Sequence, residues 1–172
     1  MTKKPDDLFK ELEQSIIDDM KRVHSETTVD HFLNPRNLGR LPSPDGAARM
    51  TDPYGSTMEI YLKVKDGKVM KASFWTDGCG CSIASGSMAT ELAKGKSLLD
   101  AQRITQYDIQ DALGGLPEDD VRCALLASQA LKEAIKDCLA SKKEAGRRAQ
   151  GARRGSGVSV ENQDVGNSIK GV

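Results

Sequence analysis

The residues on either side of Asp66-Gly67 constrain this chain more than any other stretch. Before that pair, Met58, Ile60, Leu62 and Val64 alternate with Glu59, Tyr61, Lys63 and Lys65. After it, Val69, Lys71, Ser73 and Trp75 alternate with Met70, Ala72 and Phe74. A period of two is that of a β-strand with unlike faces, and Asp-Gly suits the left-handed positions of a two-residue hairpin turn. An antiparallel hairpin is therefore expected here.

Around the hairpin the periodicity becomes helical. Leu8, Leu12, Ile16 and Met20 recur every four residues, with Phe9, Ile17 and Val23 beside them and Asp6 and Asp7 in the first turn. Residues 6–23 read as an amphipathic helix whose stripe must cover either the domain core or a partner. A short second helix is expected over Thr27–Leu33, stopping before Asn34-Pro35 because a residue preceding proline avoids the α region. Residues 34–56 are rich in Pro, Gly, Asn and Asp and read as loops, with a short strand near Ala48–Thr51. From Ser82 to about Ser141 the chain reads as helical. Ser82–Lys94 ends at Gly95, and its Ala, Ser and Gly suit close packing on the sheet. Ser97 to Asp100 and Thr105 to Asp108 resemble capping boxes, and Pro117 with Glu118, Asp119 and Asp120 opens a long last helix.

The sequence thus divides into an N-terminal amphipathic helical extension at 1–24, one domain at 25–140, and an Arg/Gly/Ser/Asn-rich stretch at 141–172. That last stretch shows no apolar periodicity and reads as a disordered basic tail. Its Arg147, Arg148, Arg153 and Arg154 read as solvated. With Lys+Arg and Asp+Glu both at 25, no net field calls for nucleic acid. No apolar run approaches the roughly 20 residues of a membrane span, and the N-terminus lacks the apolar segment of a signal peptide. A cytoplasmic protein without disulfides is expected, its four cysteines free, metal-binding or redox-active. No phosphate-binding glycine loop is present, so nucleotide binding has no support.

Thr76-Asp77-Gly78-Cys79-Gly80-Cys81 sets two thiols in a glycine-rich turn between strand and helix. A helix starting there offers unpaired N–H groups and a positive dipole end, which favour thiolate, the form that ligates metal. Cys79 and Cys81 could reach one ion; the alternative is a pair of small residues packed in a tight turn. On the last helix Ala124, Ala127, Leu131, Ala134, Ile135, Cys138 and Leu139 share a face. Cys123 falls at the border of that face and Cys138 near its middle. The two are about 22 Å apart along a helix, too far to share a small site. Cys123 is read as functional and Cys138 as structural, the alternative for Cys123 being a helix-edge core residue. His24 and His31 lack ligand-like spacing to any cysteine and read as capping or surface residues.

Several segments in order resemble the U-type iron–sulfur cluster scaffolds, IscU and the N-terminal domain of NifU. They are His31 to Gly39, Pro44-Asp45-Gly46, Gly78-Cys79-Gly80, Ile83-Ala84-Ser85, Thr90-Glu91-Leu92, Lys94-Gly95-Lys96 and Gly114 to Pro117. The resemblance spans about residues 25–138 and implies an α+β fold, a small, mainly antiparallel three-stranded sheet packed against helices. It also implies assembly of a [2Fe–2S] cluster from iron and from sulfur delivered by a cysteine desulfurase. The cluster then passes to apo-proteins, often with a chaperone. Such a protein is a scaffold that binds and transfers, not an enzyme.

The family's ligand set is three cysteines plus an aspartate or histidine, and here it departs. The first cysteine aligns with Tyr54 and its companion aspartate with Ser56; the second and third are kept as Cys79 and Cys123. The histidine before the third is Arg122, and the lysine three residues before it is Asp120. Cys81 is an extra thiol. Four ligands, thiolates by preference, hold such a cluster. Cys79, Cys81 and Cys123 are therefore the expected ligands of iron or cluster, with Cys81 replacing the lost first cysteine. Tyr54, a partner or a second copy of the chain in a homo-oligomer could complete the set. Two alternatives stand beside this: a non-ligating binding or regulatory subunit, because Arg122 cannot ligate, and a three-thiolate Zn²⁺ module.

Overall fold

The computed structural model describes residues 4–155. Two helices come first, α1 (Pro5–Val23) and α2 (Glu26–Leu33), followed by strands β1 (Gly46–Thr51), β2 (Thr57–Lys65) and β3 (Lys68–Thr76). Then come α3 (Gly80–Ala93), α4 (Leu98–Gln102), α5 (Gln106–Ala112), a 3-10 turn (Glu118–Asp120) and α6 (Val121–Gly155). The strands form an antiparallel sheet in the order β1-β2-β3. This is the α+β architecture expected from the sequence.

The hairpin forms as its sequence requires. Asp66 and Gly67 both have positive φ, 52° and 76°, the backbone of a tight turn whose twist matches the flanking strands. Pairing Ile60 with Phe74 and Leu62 with Ala72 sends one residue set to the core. The opposite face is polar but organised. Glu59 is only 5% exposed, yet it pairs with Arg40 and Arg49, and Tyr61 donates its hydroxyl proton to the same carboxylate. A buried carboxylate needs such partners.

Helix α3 lies at the centre. Ala84, Ser85, Gly86, Ser87, Met88, Ala89 and Thr90 are all buried, so the helix is covered on all sides rather than amphipathic. Its small residues let it approach the sheet closely. Ala124, Ala127, Leu131, Ala134, Ile135 and Cys138 of α6, with Ile109 and Leu113 of the α5 region, complete the core. Ser25 caps α2 by accepting from the Thr28 N–H, and the Ser25 and Thr28 hydroxyls both donate to the Leu113 carbonyl. The capping box of α5, Thr105 with Asp108, is complete. Pro117 opens one 3-10 turn before α6 proper begins, a tighter start than a single continuous helix.

Helix α1 bears on an alternative the sequence left open, and the C-terminal stretch differs from the sequence reading. Helix α1 buries no residue at all, and Leu8, Phe9, Leu12 and Ile16 are exposed, so its stripe does not enter the core. Phe9, Leu12, Ile16, Ile17 and Met20 instead border an open apolar groove with Phe32 and Leu33. At the other end, the first compact unit closes at Ser141, and the second, from Lys142, is helical through Gly155. The disordered basic tail expected over 141–172 is thus corrected for residues 141–155. Lys142, Lys143, Glu144, Ala145, Arg147 and Arg148 are good helix formers, and a helix already nucleated extends without burying a face. Residues 141–148 are all exposed. Residues 156–172 of that tail lie outside the described residues.

Candidate metal centre

The loop after β3 is pinned at both of its first residues. Thr76 donates its hydroxyl proton to the Thr57 carbonyl at 2.6 Å, and the Asp77 carboxylate accepts the Thr57 N–H at 2.6 Å. The chain then turns through Gly78, and Cys79 becomes the N-cap of α3, extended at φ −69° and ψ 178°. Its sulfur therefore stands at the end of a helix whose first N–H groups lack helical partners. From the other side, the 3-10 turn and the first turn of α6 carry Asp120 and Cys123 to the same place.

Cys79 Sγ and Cys123 Sγ lie 3.7 Å apart, although 44 residues separate them. That is far beyond an S–S bond of about 2.05 Å, and none of the four cysteines is in a disulfide. It matches a tetrahedron edge: an ion bound to two thiolates at about 2.3 Å sets the sulfurs about 3.8 Å apart. The Ser82 hydroxyl sits between them, 3.4 Å from Cys123 Sγ and 3.7 Å from Cys79 Sγ. The Cys123 thiol 3.7 Å away, then the neighbouring Cys81 thiol and Ser82, hold the Cys79 pKa far below the ordinary thiol value. Cys123 and Cys81 are pushed up, each chiefly by the nearby Cys79 sulfur and then by burial, with the Asp120 charge adding to both. Cys79, the one exposed cysteine, is the thiol that ionises first.

Cys81 is buried in the first turn of α3, with its sulfur 3.9 Å from both ring nitrogens of His24. His24 Nε2 is in turn 3.9 Å from Asp120 Oδ2. Two compact donor groups result, His24–Cys81–Asp120 and Cys79–Asp120–Cys123, each with its donor atoms within 4.8 Å of one another. Of the three expected ligands, Cys79 and Cys123 meet directly, and Cys81 stands on the His24 side. Cys138 is 1% exposed in the core, as its mid-face position suggested.

Sequence reasoning missed His24 and Asp120 as donors. His24 follows α1, with its N–H bonded to the Met20 carbonyl and its side chain only 14% exposed. Nothing in its spacing signals a cysteine 57 residues away. His31, also read as capping or surface, is buried, with Nδ1 2.8 Å from Ser87 Oγ. Ser87 Oγ also accepts the Arg36 N–H. Burial, and then the Arg36 charge, hold the His31 pKa below 6.5.

Tyr54 and Arg122 face each other. Asp52 Oδ1 accepts the N–H groups of Tyr54 and Ser56 at 2.9 Å each, closing the loop between β1 and β2. Arg122 stacks its guanidinium over the exposed Tyr54 ring.

Residues 23–145 match the NifU-like N terminal domain. The chain belongs to this family. Within it, the chain is similar to the iron–sulfur cluster assembly scaffold protein IscU 1 of Archaeoglobus fulgidus, at 45% identity over 116 residues, 67% of this chain and 76% of that one. It is also similar to the scaffold IscU of Escherichia coli K12, at 43% identity over 128 residues, 72% of this chain and 98% of that one. The N-terminal NifU-like protein of Brucella abortus shares the fold, with a TM-score of 0.52 at 23% identity, covering 66% of this chain and 92% of that one. Most of α1 precedes the NifU-like segment. No helix among the described residues is long and apolar enough to cross a membrane.

Proposed function

We propose that this NifU-like chain is an iron–sulfur cluster assembly scaffold that works in the cytoplasm. The observation that carries this is the 3.7 Å between Cys79 Sγ and Cys123 Sγ, the spacing of two thiolates on one tetrahedral ion. Iron and sulfide, assembled as a [2Fe–2S] cluster, are its cargo. A cysteine desulfurase supplies the sulfur, apo-protein acceptors take the product, and a chaperone assists release. The exposed Cys79 gives delivery and transfer a route, and the buried Cys123 gives the site a fixed wall. Transfer is then an exchange of thiolate ligands between this chain and an acceptor, which calls for no catalytic residue here.

A zinc module is the alternative that a specific observation favours. His24, Cys81 and Asp120 offer the nitrogen, sulfur and oxygen donors that zinc accepts. Anaerobic reconstitution with iron and sulfide, followed by absorption spectra and metal analysis, separates the two. A sulfur-to-iron chromophore with matched iron and sulfide supports the scaffold. Retention of zinc alone, or of no metal, contradicts it.

A further inference from the structure

Two positions from which the family's ligands come are occupied here by residues that satisfy each other. Arg122 stacks on Tyr54 at 4.5 Å, and the Asp52 side chain holds the Tyr54 loop. A cluster with four protein ligands therefore needs two donors from elsewhere, beyond Cys79 and Cys123. The structure offers them on the adjoining side of Asp120.

We infer that His24, Cys81 and Asp120 form a second metal-holding half of this centre. Cys79–Cys123 then holds one ion, His24–Cys81 holds another, and the Asp120 carboxylate lies between them. The proposal rests on the scaffold reading for its first half and on separate geometry for its second.

A tetrahedral ion bound to sulfur at about 2.3 Å and to imidazole nitrogen at about 2.05 Å sets those atoms about 3.6 Å apart. Cys81 Sγ stands 3.9 Å from both His24 ring nitrogens, level with the middle of the ring, so a turn of the imidazole that aims one nitrogen past the sulfur completes that edge. The His24 nitrogen lies equally close, 3.9 Å, to the Asp120 carboxylate. Imidazole, thiolate and carboxylate together suit a divalent first-row transition metal. Charge points the same way. Asp120 sits beside three thiols, and its one ion-pair partner among the described residues is His24. A bound cation would pair with the Asp120 carboxylate and take the place of the protons on the neighbouring thiols.

At the end of α1 His24 acts through its backbone N–H, which replacement by alanine or cysteine keeps. The test is an anaerobic titration of metal-free protein with Co²⁺, read by thiolate-to-cobalt absorption and by bound metal per chain. The wild type is expected to bind two equivalents. His24→Ala and Cys81→Ser should each bind one, and Cys79→Ser should keep only the His24-dependent ion. His24→Cys should restore the second equivalent, which shows that the loss in His24→Ala is one of ligation and not of folding. A single wild-type equivalent that survives His24→Ala and disappears in Cys79→Ser overturns the second half and leaves the scaffold reading standing. No cobalt bound by any form overturns both.

Discussion

Arg122 holds its guanidinium 4.5 Å above the ring of Tyr54, so the residues at two family ligand positions are partners of one another. Such a contact is worth roughly 0.5–1 kcal/mol at an exposed site. Tyr54→Ala and Arg122→Ala should each cost about that much in denaturant unfolding while leaving iron per chain unchanged after reconstitution. A drop of half or more in bound iron would put these residues back among the ligands.

The cysteines divide by neighbourhood. Cys79→Ser and Cys123→Ser should each lower iron affinity by at least about tenfold, the lower range seen even for outer-shell changes at metal sites. Cys138 lies against β1: a Cβ on Gly46 would stand 2.2 Å from Cys138 Sγ and 2.4 Å from the Ala134 carbonyl. Gly46→Ala should therefore cost about 1–3 kcal/mol by overpacking, with iron binding by the folded fraction intact. Equilibrium unfolding beside metal analysis reads both effects.

Exposure ranks the thiols. Cys79 is the exposed cysteine and the one held as thiolate, while Cys81, Cys123 and Cys138 are buried. Brief alkylation of metal-free native protein should label Cys79 first by peptide mass analysis, and loading with metal should protect it. Equal labelling of all four would contradict the placement of Cys79 at the mouth of the site.

Where signals are local, the sequence could be read directly. Asp66-Gly67, the Thr105–Asp108 box and the stop before Asn34-Pro35 all appear as expected, because each depends on a few adjacent backbone angles. Cys79 and Cys123 were readable through strand-to-helix context and family resemblance together. His24 and Asp120 were not, because their relation to Cys81 is made by tertiary folding across 57 residues in one case and a 3-10 turn in the other. His31 was misjudged for the same reason, since its partner Ser87 lies 56 residues on. The helix beyond Ser141 was hidden because an exposed helix carries no apolar period; only propensity marks it.

His31 also sets a pH dependence. Its folded pKa lies below the ordinary 6.5, so below that pH the unfolded chain binds a proton that the folded chain resists. Stability should therefore fall as pH drops from 6.5 towards about 5, before the carboxylates titrate. His31→Gln, which cannot titrate, should flatten that slope in unfolding midpoints measured across the range. An equal slope in both proteins would show that His31 is not held neutral by its site.

The most direct measurement is X-ray absorption at the iron edge of the reconstituted protein, compared with its Cys79→Ser, Cys123→Ser double variant. Two thiolates meeting on one iron predict a sulfur-dominated first shell and a neighbouring iron in the wild type, both lost in the double variant. A first shell of oxygen and nitrogen alone, or one unchanged by removing both thiols, would contradict the account.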